Sequence, residues 1–331
     1  MPDPRVSGAS SYSGRVQRWN SLEQVPADWG PSVVSIGVYD GVHLGHRSIL
    51  ERAVTAARDR AASSVVVTFD PHPAKVVGRP VPLMLGSLHQ RAQLLGELGI
   101  DRMLVLPFTR EVSEWTAEEF VHRLLVDTLH TVHIVVGENF RFGHRQAGDV
   151  ELLAKVGDEL GFTVDAVHLL GGGDEPVSST WIRTRIAEGD VRAAAEGLGR
   201  LYSVGGPVVR GNGRGRPMGY PTANVEVPED TAVPADGVYA GWLVRWGREG
   251  GKGGDDRMPA AISIGTNPTF DGTERRVEAY VLDADLDLYG EHVRVEFTER
   301  LRGMVKFEGV EPLIEQMADD VRRTRELLGP A

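Results

Sequence analysis

The chain has 331 residues, enough for two domains that each bury a core of their own. Its 41% hydrophobic and 25% charged content is that of an ordinary globular protein. A net charge of −11 argues against a general nucleic-acid binder, and the absence of cysteine excludes disulfides, thiolate chemistry and a Cys-based zinc site. No apolar stretch approaches the length needed to span a membrane.

Met1–Arg15 is rich in Ser, Gly and Pro and has no apolar core, unlike a secretion signal. Residues 1–17 are therefore expected as a disordered tail, and the protein as cytoplasmic. From there the chain alternates strand and helix. Apolar runs predict strands over Ser32–Gly37, Ser64–Phe69, Arg102–Val105, Val132–Val136 and Thr163–Val167. Helical periodicity falls near Gly45–Ala62, Leu88–Leu98, Thr116–Val126 and Asp149–Leu160, and Thr116 with Glu119 has capping-box spacing. Continuous apolar strands between helices imply an α/β domain with a parallel sheet covered on both faces, a Rossmann-like arrangement over 18–186.

An Ala-rich stretch, Ile186–Leu201, reads as a helical connector (187–201 as a segment). Beyond it, short strands separated by Gly/Pro turns are expected over Ser203–Arg210, Gly237–Trp246, Ala260–Ile264, Arg276–Leu282 and His292–Phe297. This spacing predicts an antiparallel sandwich or barrel over 202–331. Gly247–Asp256 reads as a flexible hairpin loop. Val310–Leu328 closes the chain as an amphipathic helix with apolar Leu313, Ile314, Met317, Val321 and Leu327.

Four motifs carry chemistry in the first half. Gly37-Val38-Tyr39-Asp40-Gly41-Val42-His43-Leu44-Gly45-His46 lies where an apolar run gives way to a helix. Glycines let the backbone approach a phosphate, and the first helical N–H groups and the helix dipole favour an anion there. His43 and His46 are three apart, so one turn brings both imidazoles to one side as hydrogen-bond donors. The same spacing could be half of a metal site, but no third ligand stands nearby. Val66–Pro73 closes a strand with Asp70-Pro71-His72-Pro73. Val136–His144 combines Asn139, which could read a ring edge, with Arg141 and two aromatic rings suited to stacking on a planar ligand. Val177–Arg183 offers hydroxyls (Ser178, Ser179, Thr180), good as helix caps, and Arg183 for phosphates.

Together these motifs resemble the nucleotidylyltransferases of the HxGH type. In the second half, Gly211, Gly213 and Gly215 punctuate a glycine-rich hairpin that leads into Pro221-Thr222-Ala223-Asn224, similar to the signature of riboflavin kinases. Glu278 lies in Val277-Glu278-Ala279-Tyr280, with Gly237–Gly241, Ile264–Phe270 and Leu288–Gly290 in the expected order. Over residues 18–328 the chain resembles the bacterial bifunctional riboflavin kinase/FMN adenylyltransferases, also called FAD synthetases.

The resemblance implies an N-terminal domain that adenylylates FMN to FAD and releases pyrophosphate, and a C-terminal kinase domain that phosphorylates riboflavin to FMN. ATP is the co-substrate of both. It implies Mg²⁺ beside Thr222 and Asn224, Gly211–Gly215 on the phosphates, and Glu278 as general base. His43, His46, Ser179, Thr180 and Arg183 would offset phosphate charge, with Gly37, Asp40 and Gly45 shaping the first turn. Asn139 and Arg141 would orient flavin or ATP. The ligands implied are riboflavin, FMN, FAD, ATP, ADP and pyrophosphate, with no nucleic acid and no membrane; a homo-oligomer is left open. Tyr39 stands where the family commonly has Phe, Asn139 where many members have Asp, and His144-Arg145 where Lys is common. A nucleotidylyltransferase for another phosphate ester fits less well, because the Pro221–Asn224 half would supply FMN. A flavin sensor without turnover would have no use for Glu278 as a base.

Overall fold

A computed structural model of the chain describes residues 16–168, 171–172, 175–211, 218–245, 256–269, 272–284 and 286–329. The expected tail, apart from residues 16 and 17, lies outside the described residues. So do Gly213, Gly215 and the expected hairpin loop up to residue 255. The chain divides into two compact units: 1–81 with 87–176, and 82–86 with 177–331.

The first unit contains, in chain order, β1 (Gln17–Trp19), β2 (Ser32–Ile36), α1 (Leu44–Asp59), β3 (Ser63–Asp70), α2 (Pro73–Val76), α3 (Leu88–Glu97), β4 (Arg102–Pro107), α4 (Arg110–Glu114), α5 (Ala117–Phe120), β5 (Thr131–Gly137), α6 (Val150–Leu160) and β6 (Thr163–Val167). A small hairpin of β7 (Gly171–Gly172) and β8 (Glu175–Pro176) follows. β1 to β6 form one sheet in the order β1-β4-β3-β2-β5-β6, with neighbouring strands parallel.

The apolar runs alternate between the two faces, as the strand period of two requires. Val34, Ile36, Val65, Val67, Leu104 and Leu106 join one core with Trp115, Phe120, Leu124 and Leu125. Val66, Met103 and Val105 point the other way, onto Leu50, Val54 and Leu95 of α1 and α3. Helix starts follow the side-chain caps. Thr116 and Glu119 form the reciprocal capping box, and Asp149 caps α6 by accepting from Leu152 N at 2.9 Å. The helix expected over Thr116–Val126 is α-helical only to Phe120 and continues as a wider π-turn over Val121–Val126. β1 begins one residue inside the stretch expected as tail, pairing with β4 at the sheet edge.

The second unit opens with α7 (Ser179–Glu188) and α8 (Val191–Leu198). The expected connector is thus broken by Gly189, at φ 81°, and Asp190, which caps α8. β9 (Tyr202–Val209), β10 (Ala223–Val225), β11 (Gly237–Arg245), β12 (Asp256–Thr269), β13 (Gly272–Val281) and β14 (His292–Arg302) close a barrel in the order β10-β13-β12-β11-β14-β9, its neighbouring pairs antiparallel, before α9 (Val310–Leu328). Inward residues at alternate positions, including Ala260, Ile262 and Ile264 and Val293, Val295 and Phe297, share one core with Ile182 and Ile186 of α7. On α9 the deepest residues are Asp320 and Thr324, and Leu327 of the expected apolar stripe is exposed. Asp320 is tolerated there because Arg302 donates two hydrogen bonds to Oδ2 (Nη2 2.7 Å, Nε 3.1 Å) and one to Oδ1 (Nε 3.0 Å).

Candidate active sites

In the first unit, β2 and β5 are neighbours where the strand order reverses, the place where open parallel sheets bind ligands beyond their carboxyl ends. The Gly37–His46 turn leaves β2 at this point. Its backbone is unusual: Tyr39, Gly41 and Val42 have φ of 49°, 78° and 39°. Gly37 approaches the Tyr39 ring so closely that an added Cβ would lie 3.1 Å from it. The Tyr39 hydroxyl lies 2.6 Å from Ser35 Oγ, and burial pushes its pKa well up.

His43 is the N-cap of α1, its Nδ1 accepting from His46 N at 3.3 Å. The His43 and His46 rings stack, with centroids 3.6 Å apart and planes 22° from parallel. Tyr39 meets His46 edge-on at 5.1 Å. Burial above all, then the neighbouring His43 and Arg91, holds the His46 pKa well below its usual 6.5, so this imidazole is neutral near pH 7. His46 Nδ1 is buried and has no hydrogen-bond partner. Gly45 is buried in the first turn of α1. Asp40 is buried beneath the turn, 3.9 Å from Nη2 of an equally buried Arg91.

Two further motifs meet this turn around a cavity of about 660 Å³ lined by Gly37, Val38, Phe69, His72, Phe108, Phe140, Arg141 and Phe142, among others. Thr68 Oγ1 donates to Val38 O at 3.0 Å, tying the second motif to the first. Phe69 and Phe108 pack edge to face, and Phe140 and Phe142 stack at 5.6 Å. Arg141 pairs with the α6 cap Asp149 at 2.8 Å, and Asn139 stands exposed in the turn after β5. This apolar, aromatic hollow with a few polar groups has the character of a small-molecule site.

The fourth motif belongs to the second unit. Ser178, not Ser179 or Thr180, caps α7, accepting from Trp181 N at 3.2 Å. Arg183 Nε donates to Leu83 O at 2.6 Å, within the same unit.

The barrel carries a second constellation. β10 pairs with β13 so that Asn224 faces Glu278 across the ladder. Thr222 Oγ1 donates to Glu278 Oε2 at 3.4 Å. Asn224 Oδ1 is buried without a hydrogen-bond partner. Gly211 lies against Asn224, where an added Cβ would come 2.4 Å from the amide atoms. Gly211, Pro221–Asn224, Ala279 and Asp287–Tyr289 line a cavity of about 210 Å³. Hard oxygens of this kind suit Mg²⁺, and an orphaned buried amide oxygen is the atom a cation would satisfy. Among the described residues, no group of three His, Asp or Glu side chains is placed to hold a metal.

Sequence reasoning missed Arg91. It shares the face of α3 on which Leu88, Ala92 and Leu95 pack into the core, a position that by itself does not show a buried charge. Burial lowers its pKa, an effect that Asp40 and then Asp70 counter. Thr68 and Phe69 lay within the second motif without a role of their own, and Phe108 lay between the elements read from the sequence.

Comparison with known proteins agrees with both halves. A family model described as FAD synthetase matches residues 25–181, and one described as riboflavin kinase matches 198–328. The bifunctional riboflavin kinase/FMN adenylyltransferase of Escherichia coli K12 is 33% identical over 311 residues, 94% of this chain and 96% of that one. The protein of the same name from Listeria monocytogenes is 37% identical, covering 88% of this chain and 91% of its own. A crystal structure described as a macrolide-efflux protein from Streptococcus pneumoniae is 32% identical with a TM-score of 0.83, covering 94% and 98% of the two chains. No helix among the described residues is long and apolar enough to cross a membrane. With both catalytic modules matched in order and relatives aligned over nearly the whole length, the chain belongs to the bifunctional riboflavin kinase/FMN adenylyltransferase family.

Proposed function

We propose that Thr222, Asn224 and Glu278 serve the phosphorylation of riboflavin, and that His43, His46, Ser179, Thr180 and Arg183 serve the adenylylation of FMN. The observation that supports the division is that the stacked histidines lie in one compact unit and the Thr222–Glu278 group in the other; Ser179, Thr180 and Arg183 stand in the second unit and are assigned to the adenylyl step by the family resemblance.

In the kinase step the terminal ribityl hydroxyl attacks the γ-phosphorus of ATP; a new O–P bond forms, and the bond from that phosphorus to the β–γ bridging oxygen breaks, its electron pair leaving on ADP. Glu278 takes the hydroxyl proton. Gly211, with Gly213 and Gly215 beyond the described residues, offers backbone N–H groups to the phosphates. Thr222 Oγ1 and Asn224 Oδ1 would hold Mg²⁺, which when bound supplies positive charge against the phosphate oxygens. The Thr222 hydroxyl and the Asn224 amide are already oriented, by Glu278 and by the close approach of Gly211.

In the adenylyl step an oxygen of the FMN phosphate attacks the α-phosphorus of ATP and pyrophosphate leaves. The nucleophile is already anionic, so the site needs donors, not a base. The His43 ring and the neutral His46 ring at the start of α1 donate hydrogen bonds beside its free N–H groups. Ser179, Thr180 and Arg183 add donors and charge. Gly37, Asp40 and Gly45 shape the turn, and the aromatic hollow, with Arg141 and Asn139 at its side, takes the flavin ring or orients ATP. The reading also holds the protein to be cytoplasmic, with flavins and nucleotides as ligands and neither nucleic acid nor membrane as partner; the net charge of −11 supports the former.

The test incubates purified protein with riboflavin, ATP and Mg²⁺ and separates the flavins by chromatography over time. FMN followed by FAD is expected. In Glu278→Gln, FMN formation is lost while FAD still forms from supplied FMN; in His46→Asn the reverse holds. Loss of both activities together in either folded variant would overturn the assignment.

A further inference from the structure

Arg91 is 4% exposed and Asp40 only 2%, so both charges sit in a medium where an unmet charge is costly. Two contacts run from this arginine to one turn. Nη1 donates to Thr68 Oγ1 at 3.1 Å, and that hydroxyl donates to Val38 O at 3.0 Å. Nη2 faces Asp40 Oδ1 at 3.9 Å. Val38 and Asp40 flank Tyr39 in its left-handed conformation, and Val42 follows at φ 39°. A β-branched residue there is strained, and such strain persists only where the surroundings over-determine it. Val42 directly precedes His43, the cap of α1, and His46 lies in the first turn. Relaxation of the turn therefore moves both imidazoles.

We propose that Arg91 is a positioning residue for adenylyl transfer, holding the strained Val38–Val42 turn from beneath so that His43 and His46 keep the geometry the reacting phosphates require. Arg91 itself touches no substrate. It acts through Thr68 and Asp40, and a short basic side chain that kept the charge would keep part of the hold. The inference rests on the assignment of His43 and His46 to FAD formation.

The experiment measures kcat and KM for FAD formation from FMN and ATP, and FMN formation from riboflavin, in full-length wild type, Arg91→Met, Arg91→Lys, Thr68→Val and His46→Asn. Misplacement by about 1 Å costs on the order of 100-fold in rate. Arg91→Met is expected to lower kcat for FAD formation at least about tenfold with little change in KM for ATP. Arg91→Lys recovers much of that loss, Thr68→Val falls in the same direction by less, and FMN formation is unchanged throughout. A purely structural arginine would lower stability and leave the kcat of the folded protein intact; that result overturns the proposal. So does a rise in KM at constant kcat, which would make Arg91 a substrate-binding group. Should Arg91→Met not fold, Thr68→Val decides, and an unchanged kcat there counts against the proposal. If His46→Asn still makes FAD, the site assignment fails; if it does not while Arg91→Met does, only the role of Arg91 fails.

Discussion

His46 is held neutral by burial above all, and then by the neighbouring His43 and Arg91. Its pKa in the folded chain lies below the unfolded value near 6.5, so the unfolded chain binds the extra proton first. Stability is therefore complete above about pH 6.5 and falls as the pH drops below it. Urea midpoints between pH 7.5 and 5 should drop more for wild type than for His46→Asn; equal slopes would show that this imidazole titrates normally. Gly211 supplies a second prediction. A Cβ there would lie 2.4 Å from the Asn224 amide, so Gly211→Ala displaces that side chain and lowers FMN formation, while FAD formation from supplied FMN persists. Arg183→Ala should do the opposite, depressing FAD formation and sparing FMN formation, as a flavin time course would read. At this scale residue types were legible, because glycines, paired histidines and a Pro-Thr-Ala-Asn run are rare together. Arg91 was not, because an arginine within a helix looks solvent-facing until its helix is packed.

At the scale of elements, periodicity and caps explain most boundaries. The capping box at Thr116, Asp149 before α6 and the full span of α9 were readable because the residues that make them are adjacent in sequence. β10 was missed because three residues cannot display a period, and it exists through pairing with β9 and β13. β12 and β14 run past their apolar stretches because ladder hydrogen bonds continue regardless of side-chain polarity. The amphipathic stripe of α9 is centred on Asp320, which no apolar pattern anticipates. Removing that carboxylate strands Arg302, which is mostly buried, and breaking such a pair costs about 3 kcal/mol. Asp320→Ala should therefore lower the urea concentration at which FMN-forming activity is half lost. An unchanged midpoint would mean that solvent already satisfies Arg302.

For the whole molecule, the proposed assignment puts His43 and His46 in one compact unit and Thr222, Asn224 and Glu278 in the other, so variants of the two groups should complement in trans. A mixture of Glu278→Gln and His46→Asn proteins is expected to convert riboflavin to FAD, with FMN passing through solvent, whereas neither variant alone does so. No FAD from the mixture would show that FMN made at one site does not reach the other through solution. The sequence by itself determined the class of each half, the strand and helix alternation, and the residue types at both sites, since these follow from local periodicity and short motifs. Only the tertiary structure decided that β2 and β5 adjoin at the switch point, that three motifs share one cavity, and that Ser179–Arg183 falls in the unit of the barrel. It alone set Asn224 opposite Glu278 and buried Arg91 under Asp40. Strand order, register and the burial of a charge arise from contacts between residues distant along the chain, which no local pattern encodes.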